Sequence, residues 1–239
     1  MEKIKIKHFK YNIFEPVAIN KSALTVIFYH GWGTDVDSFQ SLAEEITKEG
    51  HTVIMPEILY HDTRNPLKKH FEKDTLQNYF WKTIIESIAE FNDFFNELKI
   101  SKQKTVLAGS SMGGFIANGI FASQENVGGL ANINGSGSFL LSEKIFREID
   151  NRPDIPLELE MILEKFDPIG QKNCDSPVLL IHGDSDKTVP LDGQKDYFNY
   201  LTENEGRKDV ELLIYKGVDH QFTSDMLQDL IIWLNEISI

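Results

Sequence analysis

The sequence of 239 residues contains a single cysteine, Cys174, and no long run of apolar residues. One cysteine excludes an internal disulfide and any metal site built from several cysteines. A membrane span needs roughly 20 apolar residues, and no segment approaches that length. The segment Met1–Lys10 alternates lysine with isoleucine or phenylalanine and lacks the apolar core of a signal peptide. We therefore expect a cytoplasmic protein without a membrane partner.

Positive charge is also scarce. Against 37 aspartate and glutamate residues there are 24 lysine and arginine residues, and the formal net charge is −13. Because such a protein repels polyanions, we expect no nucleic acid partner. A composition that is 41% hydrophobic and 26% charged is typical of a globular protein. The length favours one domain over residues 1–239, and the oligomeric state is left open.

Short apolar runs rich in β-branched residues alternate with longer segments of helical spacing. The runs are typical of buried strands and lie at Leu24–Tyr29, Thr52–Met55, Thr105–Ala108, Gly129–Ile133, Val178–Ile181 and Val210–Tyr215. The helical candidates are Ser38–Glu49, Thr75–Leu98, Phe115–Ala122, Gly193–Leu201 and Ser224–Ile237. Because a parallel strand needs a crossover to reach its neighbour, this alternation predicts an α/β fold with a doubly wound, mostly parallel sheet. Lys3–Glu15 is a candidate antiparallel edge hairpin.

The connection after the predicted strand Gly129–Ile133 is unusually long, at about 40 residues. It contains two short helical candidates, Ser142–Ile149 and Leu157–Phe166, with prolines between them. We interpret residues 135–176 as a small helical lid, inserted before the next strand and covering the carboxyl edge of the sheet. Open α/β folds bind their ligands at that edge.

The most informative motif is Gly109-Ser110-Ser111-Met112-Gly113-Gly114, between a predicted strand and a predicted helix. It matches the Gly-x-Ser-x-Gly nucleophile elbow, in which a serine on a sharp turn presents its hydroxyl. Only Ser111 has a glycine two residues away on each side, so Ser111 is the candidate nucleophile. A phosphate-binding turn is an alternative, but the run lacks the G-x-G-x-x-G spacing and the P-loop lysine. A purely structural turn is the other alternative.

A serine nucleophile needs a base, and the base needs an acid that orients it. In folds with this elbow the chain order is serine, acid, histidine. His220 follows the last predicted strand and is the candidate base. The loop after Val178–Ile181 offers Asp184 and Asp186, and Asp186 is preferred because two further residues let the loop curl back toward the histidine. Asp219 adjoins His220 in sequence and is badly placed to reach the far side of the ring.

An oxyanion formed at the nucleophile requires backbone N–H donors. Met112, directly after the candidate nucleophile, should supply one donor. Trp32, between two glycines in the loop after the first predicted strand, should supply the other. Candidate substrate contacts are aromatic or apolar: Trp32, Phe139, Leu140, Phe146 and Phe222.

Taken in order from Leu24 onward, these motifs resemble the α/β-hydrolase superfamily. The chain length, the lid and the segment 59–64 resemble small bacterial carboxylesterases of the dienelactone-hydrolase and prolyl-oligopeptidase-like branch. Such relatives tend to read His-Gly-x-Arg where this chain has His61-Asp62-Thr63-Arg64. Because the glycine is replaced by Asp62, only a structural or entrance role is carried over to His61 and Arg64.

The expected function is hydrolysis of small to medium carboxylic esters through an acyl-enzyme, with a small-molecule ester as partner and neither a metal nor an organic cofactor. The same groups would also serve a thioesterase or an aminopeptidase-like hydrolase. The sequence offers no obvious acidic clamp for a peptide amine. A non-catalytic ligand-binding protein on the same scaffold is the alternative from a different class.

Overall fold

The computed structural model describes residues 1–6, 9–18 and 23–237. Within these ranges the strands are β1 (Glu2–Ile6), β2 (Phe9–Phe14), β3 (Thr25–Tyr29), β4 (Thr52–Pro56), β5 (Thr105–Ser110), β6 (Gly129–Ile133), β7 (Val178–Gly183) and β8 (Val210–Tyr215). They form one eight-stranded sheet in the order β1-β2-β4-β3-β5-β6-β7-β8. The strands from β3 to β8 pair in parallel, while β1 and β2 add an antiparallel edge. The turn of the predicted hairpin at residues 7–8 lies outside the described residues.

Helices connect the parallel strands. In the described ranges they are α1 (Gln40–Lys48), α2 (Lys73–Leu98), α3 (Met112–Ser123), α4 (Phe139–Ile149), α5 (Leu157–Phe166), α6 (Asp192–Asn199) and α7 (Ser224–Glu236). A 3-10 turn at Val36–Phe39 precedes α1, and a π-helical turn at Tyr200–Asn204 extends α6. None of these helices combines the length and apolarity that crossing a membrane requires.

Successive residues of a strand point to opposite faces of the sheet, and here both faces carry apolar side chains. Helices therefore cover both faces. On one face, Leu107 of β5 packs in a cluster with Ile88 of α2. On the other face, the neighbouring Val106 packs with Ile46 of α1 and Leu230 of α7. The predicted doubly wound α/β fold is therefore confirmed.

The parallel register brings the predicted functional loops to one edge of the sheet. Tyr29 at the end of β3 pairs with Gly109 near the end of β5, and Gly183 at the end of β7 pairs with Tyr215 at the end of β8. The loops that follow these four strands therefore emerge from the same side. Helices α4 and α5 lie in the long connection between β6 and β7.

Candidate active site

Ser111 occupies a strained turn between β5 and α3. Its backbone has φ 56° and ψ −122°, a combination that residues other than glycine rarely adopt. The turn is fixed by a hydrogen bond from Ser111 N–H to the carbonyl of Ile133, at 2.8 Å. A Cβ atom on Gly113 would lie 1.9 Å from the carbonyl oxygen of Tyr29, so this position requires glycine. The motif thus forms the sharp strand-to-helix turn that the sequence predicts.

The structure brings Ser111, His220 and Asp186 into one hydrogen-bonded line. Nε2 of His220 lies 2.8 Å from Oγ of Ser111, and Nδ1 of His220 lies 2.6 Å from Oδ2 of Asp186. Because an ionised carboxylate can only accept, Nδ1 carries the proton and Nε2 is free to accept from the serine hydroxyl. The Asp186 side chain is fully buried, whereas the His220 side chain is 23% exposed. The arrangement can abstract a proton from Ser111.

Asp186 is held as a carboxylate by several donors. Its Oδ1 accepts the backbone N–H groups of Thr188 and Val189, both at 2.9 Å. The buried His182 lies 3.4 Å from Oδ2 and also donates to the carbonyl of Val189. Burial by itself raises the pKa of Asp186, but the hydrogen bonds from His182 and His220 hold that pKa well below its usual range.

The two other aspartates near this line have different partners. Asp184 is exposed and accepts the backbone N–H of Gly217 at 2.6 Å. Asp219 is exposed and accepts the backbone N–H of His220 at 2.7 Å, away from the imidazole ring. Of the three carboxylates, Asp186 is the one hydrogen-bonded to the ring of His220.

Backbone amides for an oxyanion are available on two sides of Ser111. Met112 is the first residue of α3, where helix N–H groups have no partner within the helix. Gly31 lies against the serine, because a Cβ on Gly31 would come within 3.3 Å of Ser111 Cβ. The loop carrying Trp32 is therefore adjacent to the candidate nucleophile. The oxyanion-binding roles of Met112 and Trp32 stay predictions.

His61 supports that loop from behind. Its Nε2 accepts the N–H of Gly33 at 3.0 Å, and its Nδ1 donates to the carbonyl of Leu59 at 3.1 Å. The ring centre lies 5.0 Å from that of Trp32, in an edge-to-face arrangement. Burial lowers the pKa of His61 to about 4, so the neutral ring that can accept from Gly33 is the form present at neutral pH.

Asp62 stands in a glycine-like conformation, with φ 49°. Its carboxylate accepts from Nε2 of His30 at 2.8 Å, from the N–H of Val36 at 2.9 Å and from the N–H of Ile58 at 3.0 Å. The burial of Asp62 raises its pKa, but the hydrogen bond from His30 and the two backbone donors leave that pKa lower than usual. The backbone path favoured by glycine is thus retained, and the side chain ties the loop after β3 to the loop after β4.

Arg64 also has a structural position. Its guanidinium donates to both carboxylate oxygens of Glu90, at 2.6 and 2.7 Å, and to the carbonyl of Glu57 at 3.0 Å. Neither His61 nor Arg64 is among the residues that line the cavity above Ser111. The structural role expected for both residues matches these contacts, and an entrance role does not.

A cavity of about 470 Å³ opens above Ser111, a size that suits a small-molecule ligand. Its wall is mainly apolar and aromatic: Trp32, Phe39, Phe71, Leu76, Phe80, Trp81, Phe146, Ile149, Val189 and Phe222. Charged side chains also contribute: Glu143, Asp150, Arg152 and Lys187. Phe71 and Ile149 are exposed and border the opening.

Two of the predicted substrate contacts lie elsewhere. Phe139 is fully buried, with its ring centre 5.3 Å from that of Trp81 and 5.8 Å from that of Phe115. Leu140 packs against the same core, and its N–H donates to the carboxylate of Asp167. The first turn of α4 is inserted in the core, so only later turns, including Phe146, reach the cavity. Trp32, Phe146 and Phe222 do line it.

Sequence reasoning missed the contribution of α2 and of the charged residues to the cavity. Phe80 and Trp81 belong to α2, and both line the cavity as well as packing against Phe115. The signal was available in part, because Tyr79, Phe80 and Trp81 are three consecutive aromatic residues in the amino-terminal half of this helix. Glu143 and Arg152 gave no signal, since their proximity is a property of the folded loop.

Comparisons with known proteins identify the family of this chain. The model of the Dienelactone hydrolase family matches residues 9–231. The chain belongs to the dienelactone hydrolase family. This membership makes the chain a carboxylesterase-type hydrolase, and it confirms the branch that the motifs resemble.

Individual relatives are distant but similar in length or fold. Esterase YjfP of Escherichia coli (strain K12) is 27% identical over 217 residues, which cover 84% of either chain. Esterase PE8 superposes with a TM-score of 0.65 at 20% identity, covering 95% of this chain and 98% of that one. An acylaminoacyl peptidase of Pyrococcus horikoshii gives a TM-score of 0.74 at 17% identity, covering 99% of this chain but 41% of the peptidase. At these identities the two solved structures speak for the fold alone.

Proposed function

We propose that this member of the dienelactone hydrolase family hydrolyses small to medium carboxylic esters through an acyl-enzyme at Ser111. The observation that carries the proposal is the line from Ser111 Oγ through His220 to Asp186, with separations of 2.8 and 2.6 Å. The esterase name of the relative YjfP supports the same reaction class. The apolar cavity that opens onto Ser111 supports an organic substrate.

The acylation step uses each of the three side chains. Oγ of Ser111 bonds to the ester carbonyl carbon while its proton passes to Nε2 of His220. Asp186 stabilises the imidazolium that forms. The backbone N–H groups of Met112 and Trp32 receive the negative charge that develops on the carbonyl oxygen. The imidazolium then gives its proton to the leaving alkoxide as the ester C–O bond breaks.

Deacylation repeats these steps with water. His220 takes a proton from the water molecule, whose oxygen bonds to the acyl carbon. The C–O bond to Ser111 then breaks, and Oγ regains its proton from His220. The carboxylic acid is released, and no group outside the chain is needed for the proton transfers.

The proposal includes the organisation of the chain. Residues 1–239 act as one catalytic domain, and residues 135–176 act as a small lid. In support, α4 contributes Glu143, Phe146 and Ile149 to the cavity wall. The alcohol or acyl group of the ester would therefore lie between α2 and the lid.

The test compares the two adjacent serines of the elbow. Ser111→Ala should lower kcat for a nitrophenyl butyrate ester by about 10⁴-fold or more, with little change in Tm. Ser110→Ala, one residue earlier, should retain activity within about tenfold. If the Ser111 variant keeps most of its activity, the hydrolysis does not depend on Ser111 and the proposal is wrong. If the wild type hydrolyses no ester, the scaffold serves binding instead and the proposal is likewise wrong.

A further inference from the structure

Three ionisable side chains on the cavity wall are paired with one another, and Arg147, which pairs with Glu143, supplies the second positive charge that balances the two carboxylates. Arg152 lies between two carboxylates, with its guanidinium 3.3 Å from Oε1 of Glu143 and 3.2 Å from Oδ2 of Asp150. All three residues line the cavity above Ser111. The side chain of Glu143 is 2% exposed and that of Arg152 is 16% exposed, so solvent screens the pair only weakly.

Each carboxylate has further donors. Oε1 of Glu143 accepts from Nε of Arg147 at 2.6 Å, and Oε2 accepts from the indole N–H of Trp81 at 2.8 Å. Asp150 accepts from the side-chain amide of Gln77 at 3.2 Å. A cationic group on a substrate would therefore find both carboxylates already paired.

An anionic group would meet the converse difficulty. Arg152 already lies beside two carboxylates, so a substrate carboxylate bound to it would place a third negative charge at one guanidinium. Lys187 is the other cation on the wall, and it is exposed. Phe80, Phe146 and their aromatic neighbours provide no counter-ion. Burying a charge without a partner in such surroundings is costly, whichever its sign.

We propose that the paired charges of Glu143, Asp150 and Arg152 make the cavity selective for esters whose enclosed part is uncharged and apolar. The inference rests on the proposed esterase function. Specificity here comes from the pairing of the charges in the enclosed part of the wall, since the remaining cation, Lys187, is exposed to solvent. Breaking the pairing should therefore create a preference for a charged substrate. Removing the cation should favour cationic substrates, and removing a carboxylate should favour anionic ones.

The first experiment uses the wild-type protein and three matched series of nitrophenyl esters. The acyl chains contain two to six methylene groups and end in tert-butyl, carboxylate or trimethylammonium. At chain lengths that remain inside the cavity, kcat/KM should be at least about 100-fold higher for the tert-butyl series than for either charged series. The difference should shrink for the longest chains, whose ends reach solvent past Phe71 and Ile149.

The outcomes of this panel separate the two proposals. If either charged series matches the tert-butyl series within about threefold at every length, the inference on specificity is overturned while the esterase function stands. If none of the three series is hydrolysed, the esterase function itself fails.

The second experiment removes one charge at a time from the cavity wall. Arg152→Met should raise kcat/KM for the trimethylammonium series relative to the tert-butyl series by at least about tenfold. Asp150→Asn should raise kcat/KM for the carboxylate series relative to the tert-butyl series. Asp150 is chosen because it is half-buried and lies at the edge of the charge network rather than at its centre. Circular dichroism and Tm establish that each variant is folded.

Glu148→Gln is the matched control for Asp150→Asn. It removes one carboxylate from an exposed position on α4 that is outside the cavity wall. In this control, the ratio of kcat/KM for the carboxylate series to kcat/KM for the tert-butyl series should change by less than about threefold. If Asp150→Asn shifts this ratio no more than Glu148→Gln does, the role assigned to the paired charges is wrong.

Discussion

The carboxylate of Asp186 lies 2.6 Å from Nδ1 of His220, although 34 residues separate them in the chain. One oxygen faces the ring, and the other is held by the amides of Thr188 and Val189. The carboxylate therefore cannot turn without losing hydrogen bonds. A rigid acceptor at this point keeps the proton on Nδ1, which leaves Nε2 available to Ser111.

Replacing Asp186 should lower the catalytic rate without changing the size of the side chain. Asp186→Asn preserves the size of the side chain but can donate to Nδ1, which favours the wrong tautomer of His220. We expect kcat to fall by about 10⁴-fold. Asp184→Asn, in the same loop, should keep kcat within about threefold because Asp184 contacts Gly217 rather than the ring. Steady-state hydrolysis of one nitrophenyl ester gives kcat for both variants. Equal decreases in kcat would refute the assignment of Asp186 as the acid.

His61 should make the folded protein sensitive to acid. Its folded pKa of about 4 lies below the value of about 6.5 expected for an unfolded chain. Between these two values the unfolded state binds more protons, so the free energy of unfolding decreases as the pH falls through this window. The contribution is complete above about pH 6.5, and about 3 kcal/mol of it is lost by pH 4.

A variant at this position isolates the effect. His61→Gln can still accept the N–H of Gly33 but does not titrate. Urea unfolding at several pH values should show that the difference in free energy between wild type and variant shrinks as the pH falls from 7 to 4. If plots of the free energy of unfolding against pH are parallel for the two proteins, His61 has the same pKa in the folded and the unfolded state, and this prediction is wrong.

Gly113 should tolerate no side chain. A Cβ there would lie 1.9 Å from the carbonyl oxygen of Tyr29, which is backbone and cannot move without shifting β3. We expect Gly113→Ala to lower the free energy of unfolding by about 3 kcal/mol or more and to abolish most activity. At Gly170 a Cβ would meet nothing within 4 Å, and only its φ of +87° opposes substitution. Gly170→Ala should cost about 1 kcal/mol, and equal urea midpoints for the two variants would contradict the account.

The fold and the proximity of Ser111, Asp186 and His220 could be predicted because the signals for them are local in the sequence. The strands are short apolar runs, and Ser111, Asp186 and His220 each follow one of them. Because parallel strands end at a common edge, locating the strand ends was enough to bring the three residues near one another. Their catalytic roles stay predictions.

Other features depended on contacts that the sequence does not encode locally. Phe139 and Phe146 have similar chemistry and are two helical turns apart, yet only Phe146 reaches the cavity because the first turn of α4 is buried. The bond between Gly33 and His61 joins residues 28 positions apart in different loops. The pairing of Arg152 with Glu143 likewise depends on how the loop after α4 folds back.

Covalent labelling of the elbow tests the central claim most directly. A fluorophosphonate phosphonylates a serine only when a neighbouring base activates the hydroxyl. Peptide mapping by mass spectrometry should find the adduct on Ser111 in the wild type, with labelling at least about 100-fold slower in His220→Ala. An adduct on Ser110, equal rates in the two proteins, or no adduct on the folded wild type would contradict the account.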